Sequence, residues 1–146
     1  MEDIDKLKYA KELHDDDLFE EAKEILLSID INNISNRSNV YYTLIASCFL
    51  QTNNYLTAIE YSKKALIIDR SNELASLIIY LSNVYLKDYD NAFREIIAFL
   101  KNNPAVLYKD TLRELITDIG TGAINDLELI DEIQFLANKN GVLNID

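Results

Sequence analysis

The chain has 146 residues, of which 49% are hydrophobic and 27% charged, the balance of one folded domain that buries a core without disulfides or a structural metal. Three glycines and one proline supply too few turns for a β-sandwich, so an all-β fold is disfavoured. The net charge of −11 argues against nucleic acid and anionic membranes as partners.

The first segment, Met1 to Asp5, is acidic and lacks the basic region and apolar run of a secretory leader. A first helix is expected over 3–14 and a second over 18–29, with Asp17 and Glu20 placed as a capping box for the second. Residues 30–38 are polar and form the longest connection. Helices at 39–52 and 55–68 follow, the latter with Ala58, Tyr61, Ala65 and Ile68 at helical spacing. The next two are expected over 73–87 and 89–102. The nearly apolar stretch from Leu74 to Leu81 is far too short to span a membrane. Asn103 and Pro104 then read as an N-cap and first helical residue, opening a seventh helix over 104–119. Gly120-Thr121-Gly122 breaks it. Asn125 and Glu128 form a second capping box, Ile124 staples onto Leu129, and an eighth helix over 126–139 stops before Gly141. The fold class is therefore all-α, with about eight helices.

These helices carry a repeat of about 36 residues. Small residues recur at Ala10, Ala46 and Ser82, and again at Ala22, Ala58 and Ala92. Phe19, Tyr55 and Tyr89 precede the second series. Two helices approach closely only where side chains are small, so each pair of series marks an antiparallel crossing. The run Tyr42, Ile45, Ala46, Phe49, Tyr55, Ala58, Tyr61 and Ala65 resembles the tetratricopeptide repeat (TPR) family. Ile78, Leu81, Ser82, Tyr85, Tyr89, Ala92, Phe99 and Pro104 resemble it again, provided the turn of that unit is two residues short. The first unit departs from the pattern at Lys6, and the usual turn glycine is replaced by Asp16 in the first unit and Asn53 in the second. The resemblance implies an α-solenoid of antiparallel pairs, with units at about 3–37, 38–72 and 73–103. A divergent pair over 104–141 then caps the end of a single domain, 1–146.

Catalytic chemistry is hard to assemble from these residues. His14 is the only histidine and reads as an exposed helix-end residue; Asp15-Asp16-Asp17 lacks the spaced ligands of a calcium loop. The carboxylates Asp126, Glu128, Asp131 and Glu132 read as a solvated face, and no phosphate loop or nucleophile elbow occurs. Cys48, the single cysteine, reads as a packing thiol, which suits a reducing cytoplasm. No catalytic, metal-binding or cofactor-binding residue is assigned.

The resemblance implies a concave groove lined by the first helix of each unit. Its positions here are Leu7, Lys8, Lys11 and His14, then Val40, Thr43, Leu44, Ser47, Leu50 and Gln51, then Ser76, Ile79, Tyr80, Asn83 and Leu86. Leu7 and Leu44 stand where the family's carboxylate clamp has Lys and Asn, so a clamp for chaperone tails is rejected. The expected function is a non-catalytic adaptor or small chaperone that binds a peptide or protein partner. The alternative is an acidic immunity or antitoxin-like protein that neutralises a basic toxin; an enzyme is the remote alternative.

Overall fold

Apolar residues at helical spacing, interrupted by short polar turns, give an all-helical chain in the computed structural model, which describes residues 1–142. In chain order the helices are α1 (Asp3–Asp15), α2 (Phe19–Leu27), α3 (Ser38–Gln51), α4 (Tyr55–Ile68), α5 (Glu73–Tyr85), α6 (Tyr89–Asn102), α7 (Tyr108–Gly120) and α8 (Leu127–Lys139). No strand occurs among the described residues. Positions 143–146 of the expected 1–146 domain lie outside them. Consecutive helices from α1 to α6 pack as antiparallel pairs, one on the next. Among the first helices of the pairs, α3 also touches both α1 and α5, while α2, α4 and α6 make no comparable contact with one another. The array therefore has an inner wall made of α1, α3 and α5.

The same turn closes all three pairs. Its central residue is Asp17, Asn53 or Lys87, with φ of 62°, 65° and 60°. The next N–H reaches back to the helix before it: Leu18 to Leu13 O, Asn54 to Phe49 O and Asp88 to Asn83 O, each at 2.8 Å. This is a Schellman-type reversal, which needs one left-handed residue. Two sequence expectations change accordingly. Asp17 does not cap α2 with its side chain; Leu18 occupies the N-cap position without a side-chain bond, because Asp17 is consumed by the turn. The left-handed position in the first unit is thus Asp17 rather than Asp16. The third turn is also not short, since Lys87 fills the position that Asp17 and Asn53 fill. Counted from the turn, the counterpart of Ala10 and Ala46 is Tyr80, and Ser82 instead matches Cys48.

Ala10, Ala22, Ala46, Ala58 and Ala92 are fully buried, as close helix crossing requires. The connection expected over 30–38 contains a 3-10 helix, Ile31–Arg37, kinked at Ile34. Burial of Ile34 against the α1–α3 core holds it there. The Asp3 carboxylate accepts from Asp30 N–H (3.1 Å) and Asn33 Nδ2 (2.8 Å), tying the connection to α1. Those bonds, Asn33 first, lower the Asp3 pKa.

The C-terminal pair begins later than the sequence suggests. Asn103 terminates α6 instead of opening α7: its backbone N–H and Nδ2 both donate to Phe99 O, at 3.0 and 3.1 Å. The start of α7 is capped from another helix. The Glu73 carboxylate, at the head of α5, accepts from the N–H groups of Val106, Leu107 and Tyr108 at 2.8, 2.9 and 2.9 Å. A negative charge on three free N–H groups is what a helix start favours. The cap of α8 is Asp126, not Asn125, accepting from Leu129 N–H at 3.1 Å. Ile124 and Leu129 pack against the same C-terminal core.

That core joins Ile96, Phe99 and Leu100 of α6 to Tyr108, Leu112 and Leu115 of α7 and Ile133 and Leu136 of α8. Here α8 lies along α6, while α7 meets α6 at its start, where Tyr108 packs on Phe99 with ring centroids 5.7 Å apart, so the pair closes the stack without extending its pattern. Tyr108 is fully buried. Its hydroxyl lies 2.7 Å from Ser76 Oγ, which donates to Glu95 at 2.7 Å. The serine proton is committed to the carboxylate, so the tyrosine donates to the serine.

Two stability measurements follow. Glu73→Ala removes the charge that caps α7 and should cost about 1–3 kcal/mol in chemical denaturation, with hydrogen exchange rising first in α7. Lys87→Gly should raise stability by about 1 kcal/mol, because a side-chain-bearing residue is strained in the left-handed region; Asn53→Gly should gain less, since Asn tolerates that region.

Candidate peptide-binding groove

The inner wall holds a cavity of about 380 Å³. Lys11 and His14 reach it from α1, and Asn39, Val40, Thr43, Leu44 and Ser47 from α3. Asp69, Asn72 and Leu74 complete it from the α4–α5 junction. Of the residues expected to form a groove, Lys11, His14, Val40, Thr43, Leu44 and Ser47 are thus brought together. Leu7 and Leu50 are buried in the core beneath, while Lys8 and Gln51 are exposed outside the cavity.

The third-unit set falls elsewhere. Ser76, Ile79, Tyr80 and Asn83 are buried, and none of them, nor Leu86, lines this cavity. Ile79, Asn83 and Leu86 line a separate cavity of about 660 Å³ with Leu56, Ile59 and Lys63, between α4 and α6. Ser76 and Tyr80 meet the C-terminal pair. The cause is the register set by the turn: an offset of two residues rotates a helix by about 200°, which exchanges its faces. Counted from the turn, the counterpart of Val40 is Leu74. Both are apolar and open to solvent, 47% and 43% exposed.

Polar groups fix the walls around these two side chains. Asn72 accepts from Ala75 N–H at 3.0 Å, capping α5. Its amide then donates to Asn39 Oδ1 at 2.9 Å and Thr43 Oγ1 at 2.8 Å. Thr43 in turn donates to Asn39 O at 2.8 Å. One side chain therefore starts α5 and fastens it to α3 with both amide protons used. His14 is half-buried rather than exposed: its Nε2 lies 2.7 Å from Ser47 Oγ, and its ring meets Phe19 edge-on at 5.1 Å. It joins α1 to α3. Asp69 accepts from Ser71 Oγ at 2.6 Å and Ser71 N–H at 3.0 Å, bonds that hold its pKa below the usual carboxylate value.

Asn39, Asp69, Asn72 and Leu74 were not anticipated. An available signal was Asn72 directly before the helix that starts at Glu73, a position where Asn is a favoured cap. The wall is aliphatic surface with hydrogen-bond donors and acceptors at its edge. Cys48 is fully buried, and burial pushes its thiol up to about 11, which removes nucleophilic character. Among the described residues no group of three or more His, Cys, Asp and Glu side chains could hold a metal ion. No helix is long and apolar enough to cross a membrane. No protein-family model matches the chain, and neither a curated protein nor a solved structure matches it.

The Asn72 clasp can be dissected. Asn72→Ala should lose about 1–2 kcal/mol in denaturant unfolding, the usual cost of a lost cap. Asn72→Asp retains the cap acceptor but not the donors to α3, so it should recover part of that loss while α3 and α5 remain unfastened, read as faster amide exchange at the start of α5.

Proposed function

We propose that the protein is a non-catalytic interaction module, an adaptor or small chaperone, that binds a peptide segment of a protein partner along α1, α3 and α5. The observation that carries this reading is the pairing of Val40 and Leu74. They occupy equivalent positions in successive units, and both are exposed apolar side chains in one cavity of the inner wall. Covering an aliphatic side chain of this size contributes about 1.5–3 kcal/mol when it is fully buried, enough for two anchors to matter. Lys11, whose ammonium pairs with Asp15 at 3.0 Å, and Asp69 both line the site and give it polar groups against which an extended or helical peptide can be oriented. The resemblance to TPR units, whose ligands lie on this wall, supports the same reading. A cytoplasmic location fits a chain whose one thiol is buried.

Selection from a random peptide library displayed on phage tests this. Peptides enriched on the wild type should bind the Val40→Asp/Leu74→Asp variant about tenfold or more weakly, while circular dichroism remains unchanged. Affinity should vary little as salt rises from about 50 to 500 mM, because apolar burial is not screened. Undiminished binding by the variant, or affinity that collapses with salt, sinks the inner-wall reading; the second outcome favours the acidic neutraliser instead.

A further inference from the structure

A second cavity, of about 470 Å³, lies on another side of the molecule, where the third helix pair meets α7 and the α7–α8 loop. Its walls include the rings of Tyr80, Tyr89 and Phe93 and the carboxylates of Glu114, Asp118 and Asp126. No lysine or arginine lines it. Glu114 and Asp118 are one turn apart on α7, and neither has an ion-pair partner among the described residues, whereas Asp110 on the same helix is held by Arg113 at 2.7 Å. Like charges at that spacing repel. Asp126 spends one oxygen on the α8 cap.

Tyr80 supplies the independent observation. The residue is only 7% exposed, yet its hydroxyl makes no hydrogen bond among the described residues, while the neighbouring Tyr108 hydroxyl is bonded to Ser76. Burial first, then the Glu114 and Asp118 carboxylates, push the Tyr80 phenol up to about 12. Its side chain lines the cleft together with those two carboxylates. Among the described residues the enclosed hydroxyls without a partner are those of Ser62 and Ser82; that of Tyr80 opens on the cleft its side chain lines and is free to accept a bond from a group that enters.

We propose that this cleft receives an arginine side chain from a basic segment of a partner protein. A guanidinium presents a fork of donors, so it can engage two carboxylates a turn apart and the phenol oxygen together. Its flat face stacks on the half-exposed Tyr89 ring, and its stem lies on the aliphatic wall. An ammonium on a lysine offers a single point charge and no plane. The start of α7 is seated through Tyr108 on Ser76 and Phe99, which leaves Glu114 and Asp118, further along the helix, on the cleft beside Tyr80. The strong negative charge of the chain steers a basic segment towards it. This site is separate from the inner wall and stands or falls without it.

The probe is a short Ala-Gly peptide with one central arginine, titrated into the full chain labelled with nitrogen-15 and followed by amide shifts. Shifts should concentrate at 114–126 and around Tyr80 and Tyr89. The same peptide with citrulline, which keeps the shape and loses the charge, should bind about tenfold or more weakly, as should Glu114→Gln/Asp118→Asn. Tyr80→Phe preserves the ring packed on Tyr108 and should weaken binding about threefold. Glu2→Gln/Asp5→Asn and Val40→Asp/Leu74→Asp should bind as the wild type does. Circular dichroism and melting temperature confirm that each variant is folded, and these substitutions lie on side chains outside the core or conserve its volume. Shifts spread evenly over every acidic patch, equal binding of the citrulline peptide, or wild-type affinity in Glu114→Gln/Asp118→Asn would overturn the proposal.

Discussion

One backbone constraint sets the register of the array: a left-handed residue at Asp17, Asn53 and Lys87. Each lets the chain reverse between two antiparallel helices within three residues, and each fixes the rotation of the helix before it relative to the helix after it. Ala10 and Ala22 share one core cluster and Ala46 and Ala58 another, each pair at the same count from that residue. In the third pair the same count brings Tyr80 to Ala92, and the two belong to one core cluster. A large ring at a crossing that is elsewhere small has to extend out of the pair. It does so towards α7, where it meets Tyr108 edge-on at 6.1 Å. The change in packing that ends the regular stack is therefore already present in the third unit.

Acidic residues do much of the joining. Asp3 holds the connection after α2, Asp30 and Asp88 cap the helices that follow them, Asp126 caps α8, and Glu73 caps α7 from a distance. Glu95, whose pKa is raised by burial and offset by its bond to Ser76, completes a buried chain with Tyr108. Carboxylates suit this work because helix starts offer unpaired N–H groups and a positive dipole end. The excess of negative charge is thus partly architectural. Glu114 and Asp118 take no part in this joining: among the described residues neither caps a helix or forms an ion pair, and both line the cleft beside Tyr80.

The helices themselves were legible because apolar periodicity and small crossing residues are local properties, and the pairs from α1 to α6 fall close to where those signals put them. The register of the third unit was not. Ser82 imitates the small series of Ala10 and Ala46, yet it sits at the Cys48 position, buried with a hydroxyl that has no partner among the described residues. Side-chain size alone could not reveal this; the φ of Lys87 does. Asn103 and Pro104 failed for a different reason. They are sound local signals for a helix start, but Glu73, far away in sequence, supplies the cap and Asn103 serves the preceding helix. Of the inner wall, the contributions of α1 and α3 were read in part: Lys11, His14, Val40, Thr43, Leu44 and Ser47 line the cavity, Leu7, Lys8, Leu50 and Gln51 do not, and Asn39 was missed. That of α5 was not, because it inherited the wrong register.

Asn72 and Glu73 are adjacent, and each works across a different junction. Asn72 fastens α5 to α3 through Asn39 and Thr43, and it lines the inner-wall cavity. Glu73 fastens α5 to α7 through three backbone N–H groups. The first turn of α5 is therefore shared between the cavity and the C-terminal pair. A side chain that moved Asn72 away from Thr43 would release the cap on Ala75 N–H and shift the turn from which Glu73 projects. Because a helix turn moves as a unit, the geometry of the inner wall and the seating of α7 are held by the same few backbone atoms. The terminal pair thus does more than cover the apolar end of the stack: through Glu73 it helps to hold the first turn of α5, and with it the position of Leu74 in the cavity.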